Sequence, residues 1–375
     1  NDAYDVINID FSGNSLIEFD NQEIIQKEDL SYGSNLRSFY SLPDDKGIGY
    51  MMSSIDDYVT GVIGEGVAAS PNPVLGWVGS LQEVDKSSGY WIIVNDDLAF
   101  YESPISSVQT YEEWETDINF GSNLIAYPCL KSDDINSNDI LPIPDEFEQY
   151  FHNGIIGEGV AATYNPTLGW VGSLNALEPG KGYWMKSNED FSNFHWDCPE
   201  LSCEQTESRQ IVVEYEMPEE LNYTQSSQQA FYFISEIDLN QTSINEGDWI
   251  VAMYDNNIVG ARAWNGLFTD IPVMGHDGFD YSISFLESGK VPTFKLYKDG
   301  QMIDLFGDIP EFSNLGIHMI SLSDVDPSIP SDFILEPAYP NPFNPSTTIR
   351  YGVSEATNLN VSVYNIQGQQ VDVLY

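Results

Sequence analysis

Across 375 residues the chain carries 59 Asp plus Glu against 13 Lys plus Arg, a formal net charge of −46 at neutral pH. That balance excludes a nucleic-acid backbone as natural partner, because phosphate recognition needs a basic face, and it argues equally against an anionic membrane surface. Hydrophobic residues make up 42% and aromatics 13%, enough to repay the ordering of the chain, so the acidity belongs to the surface of a folded protein.

No apolar run approaches the length of a membrane span, and a first residue of Asn1 rather than Met reads as a processed, mature polypeptide. The alternation Tyr4 to Phe11 predicts an amino-terminal strand. The dominant feature comes next: the stretch from Gly61 to Trp91 returns from Gly154 to Trp184, with 20 of 31 positions identical at an offset of 93. Upstream, Gly33-Ser34-Asn35-Leu36 matches Gly121-Ser122-Asn123-Leu124 at an offset of 88. Two tandem copies of one fold are therefore expected.

Each copy opens with an extended stretch, Leu36 to Leu42 or Leu124 to Leu130. In the first, Ile48, Met51, Met52 and Ile55 then fall on one face of a short helix; in the second, Pro144-Asp145-Glu146 starts a helix through Tyr150. Glycine-punctuated strands follow, and Gly89 to Val94 closes the first unit as a β-strand. Between Gln210 and Asp324 the repeat motif is absent and the texture is all-β. Ile211 to Tyr215 and Thr293 to Tyr297 read as strands, Lys298-Asp299-Gly300 as a turn, and Gly247 to Trp264 as a hairpin turning at Asp255-Asn256-Asn257.

The repeat resembles a module of secreted bacterial multidomain proteins, marked by an early N-L strand, a central W-x-G-S-L and a closing G-Y-W strand; that resemblance implies location rather than chemistry. The segment after it is similar to a β-sandwich found beside sorting signals. After the linker Asp326 to Pro330, the run Pro340-Asn341-Pro342-Phe343-Asn344-Pro345 and its continuation through Asn360 to Val371 resemble the type IX secretion C-terminal sorting domain. This implies export to the extracellular space or outer cell surface of a Gram-negative bacterium, with the secretion machinery as partner. Members of that family run to about seven strands, whereas about three are readable here, so an incomplete immunoglobulin-like domain is expected, its open edge covered by unrecorded strands or by another chain.

The expected architecture is mainly β: a tandem array of small β-sandwich-like domains with a few short helices. The divisions are a first module with an amino-terminal strand region over 1–105, a second module over 106–205, a β-sandwich over 206–325, and the linker with the first part of the sorting domain over 326–375.

Candidate site residues are sparse. Glu65 and Glu158 occupy matched G-E-G positions, which argues for a turn or interface role, since a glycosidase separates the environments of its two carboxyls, with calcium coordination as the alternative. Trp77, Trp91, Trp170 and Trp184 read as core, with sugar platforms as the alternative. Asp96, Asp97, Glu189 and Asp190 follow the closing strands and are the candidates for calcium, although no EF-hand-type loop is present. Cys198 and Cys203 are close enough to close a small loop around Pro199 as a disulfide, with free thiols or a zinc site involving His195 as alternatives. His276-Asp277 lacks the context of a hydrolase triad. No cofactor is expected apart from calcium as an option, and no catalysis. The reading is of a secreted structural or adhesive protein, with homo-assembly into a filament or sheath and binding of extracellular polysaccharide as its partner hypotheses, and with a carbohydrate-binding accessory protein of a secreted degradative system as the alternative.

Overall fold

In a computed structural model of the chain, the residues described are 9–11, 15–20, 23–97, 99–104, 106–107, 114–129, 133–134, 143–198, 215–240, 242–327, 333–342, 344–353, 357–358 and 360–373. The fold is mostly β, built from several small antiparallel sheets. Two compact units emerge, one formed by Asn1–Ile237 with Ile244–Leu322 and the other by Asp238–Ser243 with Ser323–Tyr375. Both repeats and the sandwich thus share one unit.

Each repeat forms a five-stranded sheet of the same order. In repeat 1 the sequence across the sheet is Gly33–Ser38, Gly89–Val94, Val59–Gly64, Val67–Asn72 and Gly76–Gly79; in repeat 2 it is Gly121–Ala126, Gly182–Ser187, Ile155–Ile156, Ala161–Asn165 and Gly169–Gly172. The registers agree as well, Leu36 lying opposite Trp91 and Leu124 opposite Trp184. The helical segments appear where expected, Ile48–Met51 running on into a 3-10 turn at Ser53–Ile55, and Asp145–Glu148 into one at Gln149–Phe151. Pro144 sits at the N-cap rather than in the first turn. Ile48, Met51, Met52 and Ile55 are all buried against the first sheet.

The retained motif residues have backbone jobs. At Gly79 and Gly172 φ is +142° and +130°, and a Cβ would lie 2.2 Å from the Ala68 carbonyl oxygen or 2.3 Å from that of Ala161. Only glycine fits such a bend. The following serine accepts the amide of the facing strand, Ala68 N–H to Ser80 Oγ at 3.1 Å and Ala161 N–H to Ser173 Oγ at 3.3 Å. At the hairpin tips, Asn72 Oδ1 accepts the amides of Val74 and Leu75, and Asn165 Oδ1 those of Thr167 and Leu168.

An amino-terminal sheet precedes repeat 1. Ile9–Phe11 pairs with Ser15–Asp20, which pairs with Glu23–Asp29, and this last strand also receives Phe100–Glu102 and Ser106–Ser107. The strand expected over Tyr4 to Phe11 is thus used within this sheet as far as it is described, and residues 4–8 lie outside the described set. Its inner face is polar: Gln26 and Glu28 are buried.

The third module is a two-layer sandwich. One sheet has the order Asp270–Gly275, Gln228–Asp238, Ile317–Ser323; the other is Asn257–Ala263, Trp249–Tyr254, Thr293–Lys298, Gln301–Leu305. The expected hairpin is present, and its two loop residues, Asp255 at φ 45° and Asn256 at φ 67°, take the left-handed conformations that suit a tight two-residue turn. Of the expected strand Ile211 to Tyr215, residues 211–214 lie outside the described set. The run Ala230 to Ile234 is buried on both faces because Tyr232 meets Phe294 of the opposite sheet, at 5.4 Å between ring centroids, while Phe231 and Phe233 pack on repeat 2.

Candidate functional site

The two repeats face each other through their first and last strands, and the contacts are reciprocal. Leu36 N–H donates to Glu158 Oε2 at 2.8 Å, and Leu124 N–H donates to Glu65 Oε2 at 2.7 Å. Ser38 N–H donates to the Gly180 carbonyl at 2.7 Å, and Ala126 N–H to the Ser87 carbonyl at 2.9 Å. These are matched positions in the two copies, so the interface has the self-complementary form of a two-fold dimer held within one chain. Gly89 and Gly182 meet at its centre: a Cβ on Gly89 would stand 3.2 Å from the Gly182 Cα. The G-E-G carboxylates therefore clasp one repeat to the other, capping an edge-strand amide that would otherwise be left without a partner.

The clasp is symmetric in backbone and asymmetric in charge. Arg37 reaches both Glu158 and Glu28, the latter at 2.5 Å, and Lys181 lies 3.8 Å from Glu28. Arg37 and Glu28 are buried, Glu28 to 1% side-chain exposure. Burial works against the Arg37 charge, yet the two carboxylates outweigh it and hold its pKa above the ordinary value. The residue matched to Arg37 in repeat 2 is Ile125, and Glu65, its clasp partner by symmetry, is exposed.

The four acidic candidates also fall at matched corners. Asp97 Oδ1 accepts the Tyr32 amide at 2.6 Å, and Asp190 Oδ1 accepts the Phe120 amide at 2.5 Å. Asn35 and Asn123 brace the same turns, each side chain bonding both to the residue four places back, Ser31 or Asn119, and to the closing strand. Asp97 and Asp190 thus hold backbone. Glu189 bonds through its own backbone to Ser187 Oγ, and Asp96 is the neighbour of Asp97 in the equivalent turn. Among the described residues no three His, Cys, Asp or Glu side chains gather as a metal site would require. At the same corners Tyr32 and Phe120 are exposed, to 41% and 72%.

The disulfide differs from expectation. Cys198 is bonded to Cys129, with Cα atoms 5.3 Å apart, instead of to Cys203; Cys203 lies outside the described residues. Cys129 directly follows the first strand of repeat 2 and is fully buried beside Tyr127 and Trp196, so tertiary packing carries it to Cys198 across 69 positions. Short sequence separation was a misleading guide. His195 neighbours Asp197 at 3.9 Å, on the surface side of the same segment.

The repeat tryptophans are not equivalent. Trp91 is 1% exposed, whereas Trp184, expected to match it, is half-buried. Both belong to the apolar cluster that closes the repeat interface with Leu36, Ile93 and Leu124, where Phe279 and Tyr281 of the sandwich also pack. Trp170 is buried and Trp77 half-buried beside Gly49.

His276 and Asp277 do converge with a serine, but in the wrong order for a relay. Ser282 Oγ donates straight to Asp277 Oδ1 at 2.6 Å, His276 Nδ1 lies 3.0 Å from Ser282 Oγ, and Ser282 is fully buried. A triad needs the carboxylate on the far nitrogen of the imidazole. Asp277 instead joins the sandwich to repeat 1, accepting from Ser34, Ser227 and Tyr281. Burial raises its pKa, but the donors Ser282 and Tyr281 outweigh that and hold it below the ordinary carboxylate value.

The second unit contains the proline-rich motif. Ile334–Leu335 pairs with Tyr351–Gly352, and the loop between them is closed by Tyr339 and Thr348, which exchange backbone hydrogen bonds at 2.9 Å each way. Thr347 Oγ1 donates to the Pro340 carbonyl at 2.8 Å, so Pro340, Asn341, Pro342, Asn344 and Pro345 form a loop anchored at both ends. Phe343 lies outside the described residues. Ser362–Tyr364 pairs with Gln370–Val373, close to where the sorting motif predicts strands.

Residues 337–374 match the family model of a secretion system C-terminal sorting domain. This is the type IX sorting signal, and it marks a protein secreted or displayed at the cell surface. No curated protein and no solved structure matches the chain. Among the described residues no helix is long and apolar enough to cross a membrane.

Proposed function

We propose that this is a non-enzymatic structural or adhesive protein, exported by type IX secretion to the surface of a Gram-negative cell and built to hold a rigid β-array in an extracellular filament or sheath. The observation that carries the reading is the use made of the duplicated motif. Its carboxylates and amides, in Glu65, Glu158, Asp97, Asp190, Asn35 and Asn123, are all engaged in fixing backbone or joining the two repeats. Duplication followed by internal pairing multiplies surface, and each motif carboxylate is occupied by a backbone amide of the opposite copy. Electron microscopy of native secreted material, together with light scattering on the purified chain, tests it. Ordered particles far above 42.0 kDa are expected, and a monodisperse monomer under all conditions refutes the filament.

A second reading, a carbohydrate-binding accessory protein, is favoured by the exposed Tyr32 and Phe120 at matched corners beside Asp97 and Asp190, since aromatic faces flanked by carboxylates suit pyranose rings. Affinity electrophoresis in gels containing neutral polysaccharides distinguishes it: retardation abolished by Phe120→Ala supports the accessory role, and unretarded migration in every gel removes it.

A further inference from the structure

Repeat 2 receives the sandwich on one face of its outer hairpin. Phe231 and Phe233 lie on Ala161 and Ile156, and a Cβ on Gly172 would stand 2.9 Å from the Phe233 ring. Polar groups frame this ridge. Ser173 Oγ donates to Asp270 Oδ2 at 2.7 Å, Gly159 N–H donates to Gln229 Oε1 at 3.1 Å, Gln229 Nε2 donates to the Gly157 carbonyl at 2.8 Å, and Arg262 Nη2 donates to the Gly159 carbonyl at 2.5 Å.

Every receiving residue has an identical counterpart in repeat 1: Ile63, Gly64, Gly66, Ala68, Gly79 and Ser80. There Gly66, Ala68, Gly79 and Ser80 are exposed. The fold accounts for Gly79 and in part for Ser80. It also accounts for Gly66, whose φ of +70° favours glycine; it does not account for a small residue at the exposed position 68. The inner part of the same face is taken in repeat 1 by Phe279, whose ring lies 3.5 Å from a Cβ built on Gly61, as Ile317 lies over the matched Gly154. The outer hairpin stays open.

We propose that this open face of the repeat 1 hairpin is a docking surface for a β-hairpin of a separate polypeptide, one that presents an aromatic pair with a carboxylate beside it as Phe231, Phe233 and Asp270 are presented to repeat 2. The small residues Ala68 and Gly79 admit the rings, and Ser80 Oγ–H, whose oxygen already accepts the Ala68 amide, donates to the carboxylate. The same residues do this work in repeat 2, which is what identifies the partner's chemistry. A second copy of this chain cannot supply its sandwich intact, because that ridge already lies on its own repeat 2. The inference goes beyond the structural or adhesive reading and does not depend on filament formation.

The test uses the full chain and a backbone-cyclised peptide in which Gln228 to Ile234 and Thr269 to Gly275 are joined by Asn-Gly turns, reproducing the native pairing of Phe233 with Asp270 and Phe231 with Pro272. Cross-strand contacts by NMR establish that the peptide is folded. Saturable binding by calorimetry is expected, weakened about 10-fold or more by Ala68→Arg in the chain, a substitution at an exposed position, and similarly by Phe233→Ser in the peptide. Absence of binding by the folded peptide, or binding indifferent to Ala68→Arg, overturns the proposal. Self-association of the chain alone that disappears with Ala68→Arg assigns the face to a second copy and overturns it equally. If the peptide does not fold, hydroxyl-radical footprinting decides: protection of Ile63 and Val78, which share the Ala68 face, is expected on cell-surface protein relative to purified chain, and equal reactivity refutes the docking.

Discussion

The hairpin Ala161–Asn165 with Gly169–Gly172 lies beneath Phe231 and Phe233 of the sandwich, whereas its counterpart, Val67–Asn72 with Gly76–Gly79, turns Ala68 and Ser80 to solvent. At the opposite side of each sheet the inequality reverses. Repeat 1 supplies Arg37 to the clasp, repeat 2 offers Ile125 there, and Trp91 is sealed where Trp184 is half-buried. Shared identities in the two copies thus specify a backbone and a pairing mode, while the burial of each matched residue is set by what the rest of the chain lays upon it.

The sharpest way to break this comparison is to remove Arg37. Arg37→Ala should cost about 3–5 kcal/mol in urea unfolding, because it leaves the buried Glu28 carboxylate with Lys181 at 3.8 Å as its nearby cation and the neutral Gln26 amide as its donor. Glu65→Gln, on the uncharged half of the same clasp, should cost under about 1 kcal/mol, since an amide oxygen still accepts the Leu124 N–H. Equal costs would show that the clasp is energetically symmetric after all.

Trp91→Ala should cost about 3–5 kcal/mol and Trp184→Ala less, in proportion to the surface it leaves exposed. Matching losses would restore the equivalence that sequence identity suggests. Reducing the Cys129 to Cys198 bond should destabilise repeat 2 by about 2–4 kcal/mol, seen as earlier loss of amide protection there than in the sheet of repeat 1. Mass mapping of non-reduced peptides checks the pairing itself.

The smallest expected effect is on pH dependence, and it separates the two contacts made by the sandwich. Asp277, on the repeat 1 side, has a folded pKa below its ordinary value, so its contribution is present above the ordinary carboxylate pKa and is lost as pH falls below about 4. Asp270, on the repeat 2 side, has a folded pKa raised by burial, which Arg262 and Ser173 only partly oppose; its contribution is complete at low pH and declines as pH rises through the folded pKa. Asp277→Asn should therefore flatten the acid limb of the stability profile, by under about 1 kcal/mol because the group is only half-buried. Asp270→Asn should leave that limb no flatter. An acid limb unchanged by Asp277→Asn would remove Asp277 from the account.

The duplication, the strand and turn positions within each copy, the hairpin at Asp255-Asn256 and the sorting segment are legible in the order of the residues alone. Glycines that only one backbone tolerates, and side chains that bond within a few residues of themselves, act locally and are therefore readable locally. Glu65 and Glu158 could be assigned to an interface from symmetry, but their targets, the Leu124 and Leu36 amides of the opposite copy, could not. The strand Gln228–Asp238 carries a signal in the unbroken apolar run Ala230 to Ile234 but shows no alternation, because it is buried on both faces. The polar inner face of Glu23–Asp29 had no signal, since Gln26 and Glu28 look like solvent-facing residues until Arg37 and Ser38 are brought over them. Only the tertiary structure decided which cysteine met Cys198, which tryptophan was sealed and which hairpin was covered. Those outcomes depend on contacts between segments tens to hundreds of residues apart, where chain separation carries no information about distance in space.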